Sequence, residues 1–104
     1  MDDYESTIEA CIRALSQAPI IIAFDCFESI YSAKDGHVPL PQIGERKIGS
    51  HCVCIYKYSR EEKCFYFRNS WGKDWGDKGN GTLPFSYFEH GLINEITQGI
   101  ITPR

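Results

Sequence analysis

Two side chains, a histidine and an asparagine, have a spacing that would bring them together across a β-hairpin. His51 opens a run of β-forming residues and Asn69 follows a second one, with a polar turn at residues 59–62 between the two runs. A turn centred near Arg60 would pair His51 with Asn69 at the open end of the hairpin. Because opposed residues of neighbouring strands lie about 4.5–5.5 Å apart, we expect the imidazole and the carboxamide to hydrogen-bond at the rim of a sheet.

Asn69 also opens a string that is rich in tryptophan and glycine. Residues 69–72 are Asn-Ser-Trp-Gly, residues 75 and 76 are Trp-Gly, and residue 79 is again Gly. Two tryptophans and three glycines at fixed offsets seldom recur by accident. The string resembles the asparagine motif of the papain-like cysteine peptidases, and residues 49–53, Gly-Ser-His-Cys-Val, are similar to the family's histidine motif. The resemblance covers nearly the whole sequence.

The resemblance implies a role for each of these side chains. His51 would be the general base and acid that serves a cysteine nucleophile. Asn69 would accept a hydrogen bond from the imidazole and hold the orientation of its ring, as a carboxylate does in a serine triad. Trp71 would shield that hydrogen bond from water and Ser70 would support it. Cys26 and Ser50 would border a cleft for a peptide or protein substrate, and no cofactor is implied.

The parts of the family's site that carry the nucleophile are missing from these 104 residues. In the family, the catalytic cysteine lies in a Gln…Cys-Gly-Ser-Cys-Trp-like segment of a left-hand half, together with the glutamine of the oxyanion hole. Gln17 and Gln42 are not in that context. The resemblance therefore implies that residues 1–104 form one domain, the right-hand half, which lacks the left-hand half and does not hydrolyse peptides alone.

The cysteines of this sequence offer no clear substitute for the missing nucleophile. Cys52 and Cys54 are close to His51, but the alternation of a strand points both to the opposite face. Each of the five cysteines is more simply a small core residue with a free thiol, as in a reducing compartment. A metal site at Cys52 and Cys54 would lack the usual second pair of ligands, so we predict none.

The first quarter of the sequence predicts a helix, a strand and a short helix. Four apolar residues lie on one helical face, and Pro19 ends that helix: Ile8, Cys11, Ile12 and Leu15. Residues 20–24 form a continuous apolar run, which is typical of a strand buried on both faces. Asp25 and Glu28 have the spacing of a capping box for a short helix that ends at Tyr31.

The remainder predicts a loop followed by an antiparallel sheet. Residues 32–49 are rich in glycine and proline and are predicted to be a loop, before strands at residues 51–58 and 64–67. Two further strands are expected at residues 82–85 and 93–101. The predicted fold class is α+β: an antiparallel sheet or half-barrel with an N-terminal helix and a short second helix, like the right-hand domain of papain-like proteases.

The composition argues against nucleic acids and membranes as binding partners. The sequence is 42% hydrophobic and 24% charged with a net charge of -3, which is typical of a globular protein and gives no basis for binding nucleic acid. The longest apolar run, residues 19–24, is far shorter than the roughly 20 residues that cross a bilayer, so no membrane partner is expected. If Met1 is the natural start, the acidic beginning is not a secretory signal and indicates a cytoplasmic protein; otherwise the localisation is unknown.

Three functional hypotheses remain open. The chain is one half of a working cysteine protease, a non-catalytic relic that binds peptides or proteins, or a stable fragment. In each case the side chains around His51, Asn69 and Trp71 would leave an apolar patch exposed, and such patches usually find a partner. We therefore expect either a complex with a left-hand-half partner chain or a homo-oligomer.

Overall fold

The computed structural model describes residues 3–98, which form two α-helices, two short 3₁₀ helices and five strands. In chain order these are α1 (Asp3–Leu15), β1 (Ile20–Phe27), 3₁₀ helices at Glu28–Ser32 and Lys34–Gly36, β2 (Lys47–Ser59), β3 (Cys64–Arg68), β4 (Asn80–Pro84), α2 (Ser86–Glu89) and β5 (Ile93–Thr97).

All five strands pair antiparallel in one sheet, in the order β4-β3-β2-β1-β5. The buried side chains of α1 and α2 join those of the sheet in one hydrophobic cluster, centred on fully buried residues such as Phe24, Ile55 and Phe67. The helices therefore pack against one face of the sheet, which we call the core face, and we call the opposite face the outer face. The predicted α+β class with an antiparallel sheet is confirmed.

Helix α1 forms where its apolar spacing predicted it. Ile8, Cys11 and Ile12 are buried against the sheet, and the chain leaves the helix before Pro19. On the solvent side Arg60, in the β2–β3 turn, donates to both carboxylate oxygens of Glu9 at 2.7 and 3.0 Å. This exposed pair joins the helix to the hairpin.

Strand β1 differs from its prediction in length and in burial. It runs to Phe27, and Ile21 on the outer face is 43% exposed, so the strand is not buried on both faces. The predicted capping box at Asp25 is wrong, because Asp25 pairs with Ser50 of β2 inside the sheet and the following 3₁₀ helix has no side-chain cap. Apolar content alone did not reveal that the helices cover only one face.

The β2–β3 hairpin forms, but its register is shifted from the predicted one. Cys54 pairs with Arg68 and Ser59 with Cys64, and a bulge lies between Ile55 and Lys57. The turn therefore occupies residues 60–63, not a position centred on Arg60. His51 is not the cross-strand partner of Asn69, since its neighbour in the ladder is Phe24 of β1.

The rest of the sheet departs from prediction mainly at element ends. β2 begins at Lys47 and β4 at Asn80, earlier than predicted, and the predicted loop contains the Lys34–Gly36 3₁₀ helix. Helix α2 was not predicted. β5 ends at Thr97, and residues 99–101 of the predicted last strand lie outside the described residues. Among residues 3–98, no helix is long and apolar enough to cross a membrane.

Candidate active site

His51 and Asn69 meet at the end of the sheet, joined by a hydrogen bond. The distance from His51 Nε2 to Asn69 Oδ1 is 2.8 Å. His51 is half-buried, and its ring makes a T-shaped contact with that of Phe24, with 5.9 Å between ring centroids and an 81° angle between the planes. The two side chains are brought together as expected, although the backbone register that joins them is not the expected one.

Asn69 is fixed from several directions. Its backbone N–H donates to the Gly79 carbonyl at 2.9 Å, which closes the loop at residues 70–78, and its side-chain oxygen also accepts the N–H of Ser70 at 2.8 Å. The side chain is 6% exposed, and its Nδ2 has no hydrogen-bond partner among the described residues. Because two donors converge on one oxygen, the orientation of the carboxamide is well defined.

Trp71 covers the imidazole. Its ring centroid lies 4.7 Å from that of His51, with the planes inclined by 30°. Tyr31 stacks on Trp71 at 5.3 Å and 25° while remaining 63% exposed. His51, Trp71 and Tyr31 thus lie in contact one after another at the protein surface. This contact places the indole where the predicted shielding of the His51–Asn69 bond requires it, since a lower local dielectric strengthens such a bond.

Tyr31 was missed by the sequence prediction. It lies in the Glu28–Ser32 3₁₀ helix, whose position is fixed by Glu45: Glu45 Oε2 accepts the N–H of Ser29 at 2.7 Å. Hydrogen bonds from the Ser29 side chain, from the N–H of Gln42 and from the N–H of Ser29 lower the pKa of the Glu45 carboxyl. No motif at a fixed offset marks Tyr31, so only the packed structure identifies it.

The second tryptophan of the motif supports the first. Trp75 is buried, contacts Trp71 edge to face at 5.7 Å, and donates its Nε1–H to the Ile30 carbonyl at 2.8 Å. Gly76 has a φ of +63°, and a Cβ placed there would lie 2.5 Å from the Asn80 carbonyl oxygen. Only glycine allows this close approach of backbones. The motif therefore encodes a rigid loop that holds Trp71 over His51.

The two residues predicted to border a substrate cleft lie in different environments. Ser50 is exposed beside His51 and accepts a hydrogen bond from Asn94 Nδ2 at 2.9 Å; the same nitrogen donates to Asp25 at 3.0 Å. Cys26 is 3% exposed on the core face, and burial raises the pKa of its thiol. Of the two, only Ser50 presents its side chain to solvent.

The five cysteines differ in their exposure to solvent. Cys11, Cys26 and Cys64 are buried, but Cys52 and Cys54 are exposed, so the prediction of core packing at these two positions is wrong. The physical reason is the alternation of β2, which turns His51 and Val53 to the core face and the two thiols to the outer face. Within residues 3–98, no three His, Cys, Asp or Glu side chains are grouped to hold a metal ion.

The sequence of this chain is similar to those of known proteins. Residues 2–95 match the model for papain family cysteine proteases. An uncharacterized peptidase C1-like protein of Acanthamoeba polyphaga mimivirus is 36% identical over 108 residues; the match covers 93% of this chain and 35% of that protein. The chain thus spans well under two thirds of this relative.

Solved structures show the same architecture. Xylellain, a cysteine protease from Xylella fastidiosa, superposes with a TM-score of 0.77 at 22% identity, over 91% of this chain and 37% of its own. The bromelain protease from Ananas comosus, solved in complex with the E64 inhibitor, gives a TM-score of 0.52 at 23% identity, over 73% of this chain and 35% of its own. With the family match, the resemblance is confirmed: this chain belongs to the papain family of cysteine proteases.

Proposed function

We propose that this chain supplies the histidine and asparagine of a papain-type peptidase site, as its right-hand half. The nucleophilic cysteine and the oxyanion donors would come from a polypeptide segment outside these 104 residues. The observation that carries the proposal is the 2.8 Å hydrogen bond between His51 Nε2 and Asn69 Oδ1 under the cover of Trp71. It orients one imidazole nitrogen and leaves the other for chemistry.

The hydrogen-bond donors decide which nitrogen is available. An amide oxygen only accepts, so Nε2 of His51 must carry a hydrogen to bond Asn69 Oδ1. In the neutral ring, Nδ1 then holds a lone pair. None of residues 3–98 provides a hydrogen-bond partner for Nδ1. A thiol placed against Nδ1 could therefore transfer its proton to the ring.

The proposed reaction follows from this arrangement. A cysteine thiol gives its proton to Nδ1 of His51, and the thiolate attacks the carbonyl carbon of a peptide bond. The imidazolium remains hydrogen-bonded to Asn69 and then protonates the departing amine. His51 next removes a proton from the water molecule that hydrolyses the thioester, which regenerates the thiol.

The thiols of this chain do not provide the nucleophile. Cys52 and Cys54 lie on the outer face of β2, whereas His51 is on the opposite side of the strand, and Cys26 is buried. The isolated chain is therefore expected to be inactive, and an epoxide probe for thiol proteases should not label it.

A chimera tests the proposal. Residues 1–104 are joined to the nucleophile-bearing remainder of xylellain, and hydrolysis of a fluorogenic peptide is measured. We expect activity, and His51→Ala should lower kcat/KM by about 10²- to 10⁴-fold, the usual contribution of a positioned acid–base group. His90→Ala is the matched control, because His90 is an exposed histidine at the end of α2, and it should leave kcat/KM unchanged.

Two outcomes would overturn the proposal. One is a folded chimera in which His51→Ala hydrolyses the peptide as fast as the parent. The other is a folded chimera that binds peptides without cleaving them or reacting with the epoxide probe, which would support the peptide-binding module instead. Circular dichroism of each variant establishes that it is folded.

A further inference from the structure

The outer face of the sheet carries a second set of reactive side chains, apart from His51. Cys54, Ile21 and Arg68 lie in one row across three strands, since Cys54 pairs with both Ile21 of β1 and Arg68 of β3. A surface depression of about 310 Å³ is lined by this row and by Cys52 and Asn69. An exposed cysteine therefore lies opposite an arginine in the β2–β3 ladder, and both line the same depression.

Arg68 is available to bind an anion. It is exposed, and its side chain makes no ion pair or hydrogen bond with any of residues 3–98. Its position opposite Cys54 puts the two Cα atoms about 4.5–5.5 Å apart. The planar guanidinium suits carboxylates, which it can bind with two parallel hydrogen bonds.

Cys52 provides a comparison within the same strand. It too is exposed on the outer face. Cys52 pairs with Ala23 of β1, which in turn pairs with Glu95 of β5, so its row contains a carboxylate. On the other side, the β2–β3 pairing ends at Cys54, and Cys52 has no partner in β3. The two thiols thus share backbone and exposure but differ in the sign of the charge in their rows. Cys11, Cys26 and Cys64 are buried, and burial raises the pKa of each.

We propose that Cys54 and Arg68 form a modification site for anionic low-molecular-weight disulfides, the class to which oxidised glutathione belongs. Arg68 binds a carboxylate of the disulfide and brings its S–S bond to Cys54. The Cys54 thiolate attacks one sulfur, so that a mixed disulfide forms while the original S–S bond breaks. The released thiolate takes up the proton that Cys54 lost. Cys54 is thereby oxidised, and half of the small disulfide is reduced.

The adduct would change the surface next to the candidate active site. Asn69 and Ser70 line the same depression, so a group attached to Cys54 would cover part of the outer face beside them. If the proposed function is correct, the modified chain should dock less well with a nucleophile-bearing half. The thiol reaction itself is measured on the isolated chain, so its failure is distinguishable from a failure of the proposed function.

The experiment compares disulfides of different charge. The chain is treated with oxidised glutathione, or with neutral hydroxyethyl disulfide, and peptide mass spectrometry measures the initial rate of modification at each cysteine. We expect glutathione to modify Cys54 about two- to fivefold faster than Cys52, the factor that an exposed charge pair supplies. The neutral reagent should show no such preference, and added salt should reduce it.

Variants assign the preference to Arg68. Arg68→Gln should abolish the preference of glutathione for Cys54, while Lys34→Gln, which removes an exposed positive charge from a 3₁₀ helix, should preserve it. Equal rates at Cys54 and Cys52, an unchanged preference in Arg68→Gln, or modification of the buried cysteines at the same rate in the folded chain would each overturn the proposal.

Discussion

Replacing Gly76 by alanine should destabilise the loop that holds Trp71 over His51. Gly76 has a φ of +63°, and its added Cβ would lie 2.5 Å from the Asn80 carbonyl oxygen and 3.0 Å from the Cα of Gly36. These are backbone atoms, which cannot rotate away as the end of a flexible side chain can. Alanine at this position must therefore displace the β4 end of the loop, the Lys34–Gly36 helix, or both.

Gly72 is a matched control in the same motif. Its φ is +90°, and a Cβ placed there meets no heavy atom within 4 Å. Gly72→Ala should therefore show only the conformational cost of the left-handed region, about 1–2 kcal/mol. Gly76→Ala adds the displacement of packed backbone, typically about 1–3 kcal/mol. The expected loss of unfolding free energy is thus roughly 2–5 kcal/mol, a large part of the stability of a small domain.

Urea unfolding monitored by tryptophan fluorescence measures both variants. Trp71 and Trp75 lie in the loop itself, so the signal reports on the region that is perturbed. Gly76→Ala should lose clearly more unfolding free energy than Gly72→Ala. If the two losses are equal, the close approach of the Gly76 and Asn80 backbones does not constrain this loop.

Three further results are expected. Trp75→Phe removes the indole donor to the Ile30 carbonyl and should lower the unfolding free energy by about 1–3 kcal/mol, measured in urea. Burial raises the pKa of the Cys11 thiol from 9.0 to about 11, so the folded state is favoured while the thiol is neutral and loses this contribution as the pH rises from 9 through 11. Cys11→Ala should weaken that alkaline decline in stability, and the exposed-site control Cys52→Ala should not. Light scattering should show that the isolated chain self-associates with rising concentration, because several large apolar side chains are exposed; a strict monomer would contradict this.

The meeting of His51 and Asn69 could be predicted from the sequence, but for a partly mistaken reason. A hairpin with any register near the predicted one brings the start of β2 close to the end of β3. His51 and Asn69 therefore meet even though the predicted register was wrong. The bulge after Ile55 and the four-residue turn could not be inferred, since apolar alternation defines strands without fixing their offsets. The contact depends on the loop that returns Asn69 to the Gly79 carbonyl.

Burial on each face of the sheet was harder to predict. The apolar run at residues 20–24 indicated a strand but not which side would be covered, because that depends on where α1 and α2 pack. The same uncertainty misplaced Cys52 and Cys54 in the core. The spacing of Asp25 and Glu28 predicted a helix cap from local sequence alone. Strand pairing outweighs that local preference, because Asp25 continues β1 opposite Ser50.

In the proposed site, Asn69 holds the His51 ring with its hydrogen on Nε2 and its lone pair on Nδ1. Nitrogen-15 NMR of the isolated chain, at a pH where the ring is neutral, measures this directly. We predict that His51 is in the Nε2–H form and that Asn69→Ala allows the hydrogen to distribute over both nitrogens. A ring with its hydrogen on Nδ1, or a distribution unchanged by Asn69→Ala, would contradict the account.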